Sequence, residues 1–316
     1  MTDMQILVLG SEGGIGKRLV AMLREYMPTA SIVRVSRVLL ADQKNLNGDK
    51  VLVGDLLNTK FVSSIFEKNN IEVVICCAAK WNGLNQDPTV LDVNVGMFNN
   101  ILSALTESVR NFIYLSSSAV YGDQSSVDTH SLNVLPSSTY GKSKLINEIL
   151  LSNKAKLQAF STTIYRPFHV VSPAETYLPG RSHITTDFAH RYIEQGCDFD
   201  WKSLSDDALI PFYWVDDLCK IIIENMFDQQ FMGKTFNIGS SSSYSILDLA
   251  KSVACIANKH GLSSRTFPPI NGKLESNDNG LVSQLDNIIM KVPDRDLLDI
   301  VDLFITEKYL MKSSKT

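Results

Sequence analysis

The chain has 316 residues, longer than a typical single domain, so one large domain or two closely joined ones are expected. With 44% hydrophobic and 20% charged residues it has an ordinary globular composition, and a net charge of −4 gives no electrostatic reason to expect nucleic acid or an anionic membrane as a partner. No apolar run approaches the roughly 20 residues that span a bilayer, so no membrane partner is expected either.

The segment Met1-Thr2-Asp3-Met4 lacks a basic region and runs straight into an apolar stretch, so it is not read as a signal peptide. The cysteines are Cys76, Cys77, Cys197, Cys219 and Cys255. Two are adjacent and three scattered, which matches neither a zinc site nor a disulfide framework. They are expected to be reduced thiols in a cytoplasmic protein, with no metal site.

In chain order, short β-branched runs alternate with amphipathic stretches. Strands are predicted over 5–9, 31–35, 50–53, 73–77, 112–116 and 162–165, and helices over 15–26, 61–69, 92–108 and 140–157. Ser137 or Ser138 is placed to cap the last of these. Arg166-Pro167 ends a strand, because proline biases its predecessor toward extended backbone. The stretch 168–211 shows no clear period. A helix over 216–227, a strand over 235–238 closed by Gly239, a helix over 246–259, a surface loop over 268–280 and a helix over 296–310 complete the reading.

This alternation predicts an α/β fold, a doubly wound parallel sheet. Residues 1–167 are expected to form the dinucleotide-binding part and 168–316 a smaller, interleaved substrate-binding part, with about 212–240 returning to pack on the first. No internal repeat or flexible linker is evident.

Gly10-Ser11-Glu12-Gly13-Gly14-Ile15-Gly16 directly follows the apolar run Ile6-Leu7-Val8-Leu9. Glycines at this spacing permit a tight strand-to-helix turn, let backbone N–H groups approach a pyrophosphate, and let the helix pack closely on the strand. The candidate cofactor contacts here are Gly10, Gly13, Gly14, Ile15 and Gly16. The second strand ends Arg34-Val35-Ser36-Arg37, without the carboxylate that commonly holds an NAD ribose. Ser36 and Arg37 would suit a 2′-phosphate, so NADP(H) is favoured over NAD(H). The bland alternative is that Arg34 and Arg37 are solvated. Asp55 and Leu56 are placed to meet adenine, and Ala78 and Ala79 leave room for the dinucleotide.

Tyr140 and Lys144 are i and i+4 on a predicted helix and share one face. A phenol is a poor base at neutral pH, and a nearby ammonium and an oxidised nicotinamide both favour the phenolate. Tyr-x-x-x-Lys arises readily by chance. The strand ending in Ser116-Ser117-Ser118 gives it weight, because a serine hydroxyl there would orient the reacting oxygen.

With these motifs the chain resembles the extended short-chain dehydrogenase/reductase family, which contains nucleotide-sugar epimerases, dehydratases and 4-keto reductases. The resemblance runs from Gly10 to about Ser240. It includes Leu115-Ser116-Ser117-Ser118-Ala119-Val120-Tyr121-Gly122, Tyr140-Gly141-Lys142-Ser143-Lys144, Tyr165-Arg166-Pro167-Phe168, Trp214-Val215-Asp216-Asp217-Leu218 and Phe236-Asn237-Ile238-Gly239-Ser240.

The resemblance implies a Rossmann fold and catalysis by Tyr140, Lys144 and Ser117, with Ser118 as the fallback. It places Asn94 and Lys144 beside the cofactor. It also implies a homodimer formed through the helices predicted over 92–108 and 140–157, with apolar outer positions.

Departures narrow the activity. Dehydratases of the family carry acidic residues after the catalytic Ser/Thr, where this chain has Ser118 and Ala119. The arginine that grips a diphosphate in relatives would fall at Ile210. Arg181, Arg191 and Lys202 are weak substitutes that read as surface charges. His169 stands where many relatives have asparagine, and with Trp81 and Ser118 is a candidate substrate contact. His183 and His190 read as ordinary.

The expected function is epimerisation or 4-keto reduction of a sugar, nucleotide-linked, without dehydration. The alternatives are an NADPH-dependent reductase of a non-sugar carbonyl and a non-enzymatic NADP-binding redox sensor.

Overall fold

A computed structural model describes residues 4–38, 48–81, 87–122, 134–204, 209–267, 289–293 and 295–311. The first half runs β1 (Gln5–Leu9), α1 (Gly14–Tyr26), β2 (Ser31–Ser36), β3 (Lys50–Val53), α2 (Thr59–Glu67), β4 (Ile71–Cys76), α3 (Thr89–Ala104), β5 (Asn111–Leu115), α4 (Thr139–Gln158) and β6 (Ser161–Pro167). The second half adds β7 (His169–Val171), α5 (Ile184–Ala189), β8 (Leu209–Ile210), β9 (Phe212–Trp214), α6 (Val215–Asn225), β10 (Lys234–Gly239), β11 (Tyr244–Ser245), α7 (Ile246–Lys259), β12 (Ile289–Lys291) and α8 (Leu297–Ile305).

Eight of these strands form one sheet in the order β12-β10-β6-β5-β4-β1-β2-β3, every neighbouring pair parallel. The strand order reverses at β1, and the crevice outside the carboxyl ends of β1 and β4 is where such sheets bind ligands. This is a Rossmann-like doubly wound fold.

The period of two along β1 divides the core. Ile6 and Val8 face Leu19 and Leu23 of α1 and Leu218 and Ile222 of α6, while Leu7 and Leu9 face Phe98 and Ile101 of α3 and Val62 of α2. Strands buried on both faces read as continuous apolar runs, as the sequence shows. Arg18 of α1 donates to Asp216 of α6 at 2.5 and 2.6 Å, locking those two helices together across 198 residues of chain.

Element ends follow their caps. Ser138, not Ser137, caps α4, its hydroxyl accepting the Gly141 N–H at 3.0 Å. Asn58 caps α2 in the same way through Phe61, starting that helix earlier than predicted. The helix predicted over 92–108 instead spans Thr89–Ala104, because Leu105 adopts extended backbone. The helix predicted to 310 is α-helical to Ile305 and continues as a π turn over Thr306–Leu310.

Within 168–211, read as irregular, β7 pairs in parallel with β9, while β8 pairs antiparallel with β11. Strands of two or three residues are too short to show a period. β12, which joins the sheet edge beside β10, went unread for the same reason. The loop predicted over 268–280 lies outside the described residues. On the outer face of α4, Ile146 and Ile149 are exposed, as expected for its apolar outward positions.

Candidate active site

The turn after β1 is built around absent side chains. Gly10 has φ +79°, and a Cβ there would lie 2.7 Å from the Ala78 nitrogen, so the end of β1 abuts the chain leaving β4 only as glycine. A Cβ on Gly16 would run into the Gly10 carbonyl. Gly13 caps α1 in extended conformation with no side chain of its own, leaving the N–H groups of Gly14 and Ile15 at an uncapped helix start. Such a cradle fits a pyrophosphate. The Ser172 hydroxyl, from the second half of the chain, donates to the Gly14 carbonyl at 2.7 Å and closes one side of the turn.

At the end of β2 the Ser36 hydroxyl donates to the Val38 carbonyl at 2.5 Å, and Arg37 is exposed. Arg34 is neither solvated nor aimed outward. It is 4% exposed, paired with Glu12 of the glycine turn and 3.7 Å from Asp49. Asp55 is exposed and its carboxylate accepts the Leu57 N–H at 2.9 Å, while Leu56 is buried. Ala78 and Ala79 sit half-buried just beyond β4.

The helical spacing of α4 puts Tyr140 and Lys144 on one face, as the sequence predicts. The Lys144 ammonium is buried, donates to the Leu115 carbonyl at 2.6 Å, and lies 4.9 Å from the Tyr114 ring and 5.6 Å from that of Tyr140. Burial opposes its charge, but the facing Tyr114 and Tyr140 phenols and the Cys76 thiol outweigh that cost and raise its pKa. Burial also pushes up Tyr114, and lifts Cys76 to about 11, against the pull of Lys144. The lysine is thus a positive charge held between the Tyr114 and Tyr140 rings.

Because Lys144 is tied to Leu115, the end of β5 is fixed beside it, and Ser117 follows two residues on. The Ser117 hydroxyl oxygen accepts the Ala119 N–H at 3.2 Å and caps the short 3-10 turn Ser118–Tyr121, which leaves its own proton available to a ligand. Ser118 opens that turn and is half-buried.

Asn94 is a strut. Its amide oxygen accepts the Lys80 N–H at 2.6 Å, and its nitrogen donates to the Lys80 carbonyl and the Ser143 hydroxyl. Ser143 in turn donates to the Tyr140 carbonyl at 2.7 Å. The chain after β4 is thereby fixed against α4.

Trp81 packs edge-on against the Tyr140 ring at 4.9 Å between centroids and stacks on His183 at 5.9 Å. His183 meets His169 edge-on at 5.7 Å, and its Nδ1 lies 2.7 Å from the Glu175 carboxylate. The Trp81 indole nitrogen and His169 Nε2 are buried and have no hydrogen-bond partner among the described residues. Burial and the His183 charge depress His169 to about 3, so its imidazole is neutral at physiological pH.

The sequence reads His183 as ordinary and offers no signal for Glu175, because no spacing marks either residue. Chain folding alone brings them beside Trp81. Ile210, where the family resemblance would put a diphosphate-gripping arginine, is half-buried in β8. Arg181 and Lys202 are exposed, and Arg191 lies 3.5 Å from Asp187 on its own turn.

The profile of the NAD dependent epimerase/dehydratase family matches residues 6–239, most of the chain. The chain belongs to that family. Among curated members, the UDP-glucose 4-epimerase of Mycoplasma pneumoniae is 25% identical over 276 residues, 77% of this chain and 79% of its own. The dTDP-D-glucose 4,6-dehydratase of Bos taurus is 24% identical over 259 residues, 78% and 71% of the two chains. The crystal structure of a Bacillus cereus UDP-glucuronic acid 4-epimerase, in complex with UDP-glucuronic acid and NAD, superposes with a TM-score of 0.74. It is 21% identical, over 97% of this chain and 100% of that one, and shares the fold. The two curated family members stand for different reactions, so the choice between them falls to this chain's own residues.

Proposed function

We propose that this family member is an NAD(P)-dependent enzyme that epimerises or reduces a sugar, nucleotide-linked, and does not carry out 4,6-dehydration. The observation that carries the reading is the buried Lys144 ammonium, bonded to Leu115 at 2.6 Å and facing Tyr140, with Ser117 two residues beyond its anchor. Tyr140 moves the proton at the substrate oxygen. Lys144 favours the phenolate by its charge, and Ser117 donates its free proton to the same oxygen. When bound, the nicotinamide supplies or accepts the hydride at carbon. Trp81 and His169 offer their unpartnered ring nitrogens to substrate hydroxyls.

Elimination of water needs an acid–base pair beside the catalytic serine. Ser118 and Ala119 occupy those positions and supply none. Ile210, at the place of the diphosphate arginine, favours a second reading, reduction of a carbonyl that carries no nucleotide.

Mass spectrometry of the nucleotide released by acid from the purified protein separates the outcomes. Tightly held, oxidised dinucleotide supports internal hydride recycling and an epimerase. No retained dinucleotide, together with consumption of added reduced dinucleotide, supports a net reductase. A dinucleotide-saturated protein inert toward every sugar nucleotide and carbonyl tried overturns the enzymatic reading.

A further inference from the structure

The end of β2 lacks a carboxylate in sequence, but the fold delivers one from elsewhere. The Val35 carbonyl accepts the N–H groups of Gly10 and Ser11 at 2.9 and 3.1 Å, so the glycine turn is laced onto the carboxyl end of β2. Glu12, next in the turn, folds onto that strand and pairs through Oε1 with the buried Arg34 guanidinium. Its other oxygen, Oε2, is buried and accepts no hydrogen bond among the described residues.

We infer that Glu12, steered by Arg34, reads the 2′ position of the adenosine ribose and selects NAD over NADP. The inference rests on the dinucleotide reading of this turn. In doubly wound sheets the adenosine ribose lies at the carboxyl end of the second strand, where Glu12 offers a free acceptor. A ribose 2′-hydroxyl is a donor and satisfies it. A 2′-phosphate is an anion without a strong donor, and it would face a carboxylate at short range.

The local charge balance points the same way. Among the described residues, Arg34 lies between Glu12 and Asp49, and Arg24 of α1 also pairs with Asp49, so these two guanidiniums face two carboxylates. Arg34 therefore brings no surplus charge for a phosphate. The Ser36 hydroxyl is already spent on the Val38 carbonyl, and Arg37 is exposed, where its charge is screened. This reverses the balance that Ser36 and Arg37 suggest when read in sequence alone.

Titration calorimetry of the full chain with NAD, NADP and the 2′-deoxyadenosine analogue of NAD tests it. The unsubstituted protein should bind NAD at least about tenfold more tightly than NADP, and more tightly than the deoxy analogue by about tenfold, the scale of a hydrogen bond to a charged group. Glu12→Gln should move the NADP-to-NAD affinity ratio at least about tenfold toward NADP, because it removes the repelling charge at nearly constant shape.

Equal or tighter NADP binding by the unsubstituted protein overturns the inference. So does an unchanged ratio in a Glu12→Gln protein whose circular dichroism shows it folded. If that variant does not fold, equal binding of NAD and its deoxy analogue by the unsubstituted protein overturns it instead. Binding of none of the three overturns the dinucleotide reading itself and this inference with it, whereas binding without discrimination overturns this inference alone.

Discussion

Tyr140 is held from three directions. Trp81 meets its ring edge-on, Lys144 faces it from one helical turn along, and Ser143 donates to its carbonyl. None of these contacts needs the phenol hydroxyl, so Tyr140→Phe should leave the packing and the glycine turn intact. The proposed reaction predicts retained dinucleotide binding with turnover lowered by at least about 10²-fold. Unchanged turnover in that variant would show that the proton moves through another group. The same logic separates Ser117 from Ser116. The Ser116 hydroxyl is buried and bonded to Glu148, so it is unavailable to substrate, whereas Ser117 is half-buried and its hydroxyl donates to no described residue. The resemblance in sequence points to Ser117 among three consecutive serines, and the fold gives the physical reason that Ser116 is excluded.

α4 does more than carry Tyr140 and Lys144. Glu148 lies one turn beyond Lys144 on the same buried face and grips Arg166 of β6 at 2.6 and 3.0 Å. Arg166 donates to the Tyr121 hydroxyl at 2.8 Å, which itself donates to Asn237 of β10 at 2.7 Å. One buried network thus joins α4, Ser116 just beyond β5, β6, β10 and the turn carrying Ser118. Removing one member of a buried ion pair strands the other charge, which typically costs about 3–5 kcal/mol. Glu148→Leu and Arg166→Met should each lose about that much in urea unfolding. The double variant should lose far less than the sum, because no charge is left unpaired. Strict additivity would show that the two side chains are not energetically coupled.

Across the whole molecule, the second half of the chain clasps the glycine turn after β1. Ser172 bonds Gly14, a Cβ on Gly14 would lie 3.5 Å from the Glu175 Cβ, and Lys308 donates to the Glu175 carbonyl. The Glu175–His183 pair secures this clasp and gives it a pH dependence. Burial works against His183's charge but the Glu175 carboxylate outweighs it, so its pKa is raised. Burial likewise opposes Glu175's charge, but His183 and Thr186 overcome it and depress its pKa.

The raised histidine contributes stability that is full below its unfolded value and lost as pH rises through the folded one. The depressed glutamate contributes above its unfolded value and loses that as pH falls through the folded one. His183→Gln should therefore cost most stability between about pH 5 and 6.5, with the deficit fading toward pH 9. Because the His183 side chain is 48% exposed, solvent screening limits the effect to at most about 1 kcal/mol. Melting temperatures measured across that range check it, and a deficit independent of pH would remove the ion pair from the account.

What the sequence by itself determined is local. The run 6–9 followed by glycines at positions 10, 13 and 16 specifies a strand, a turn and a helix, because a missing Cβ and a period of two or 3.6 act between near neighbours. The i, i+4 spacing of Tyr140 and Lys144 puts them on one face wherever the helix lies. Tertiary structure decided what depends on distant partners. Glu12 reaches Arg34 from 22 residues away, Glu148 meets Arg166 from 18, and Tyr121 meets Asn237 from 116. His183 joins Trp81 only after β7 and β9, too short to show a period, have paired and positioned the segment that follows. Charge complementarity between residues far apart in the chain has no local signature, so the carboxylate at the end of β2 became visible only once the chain had folded.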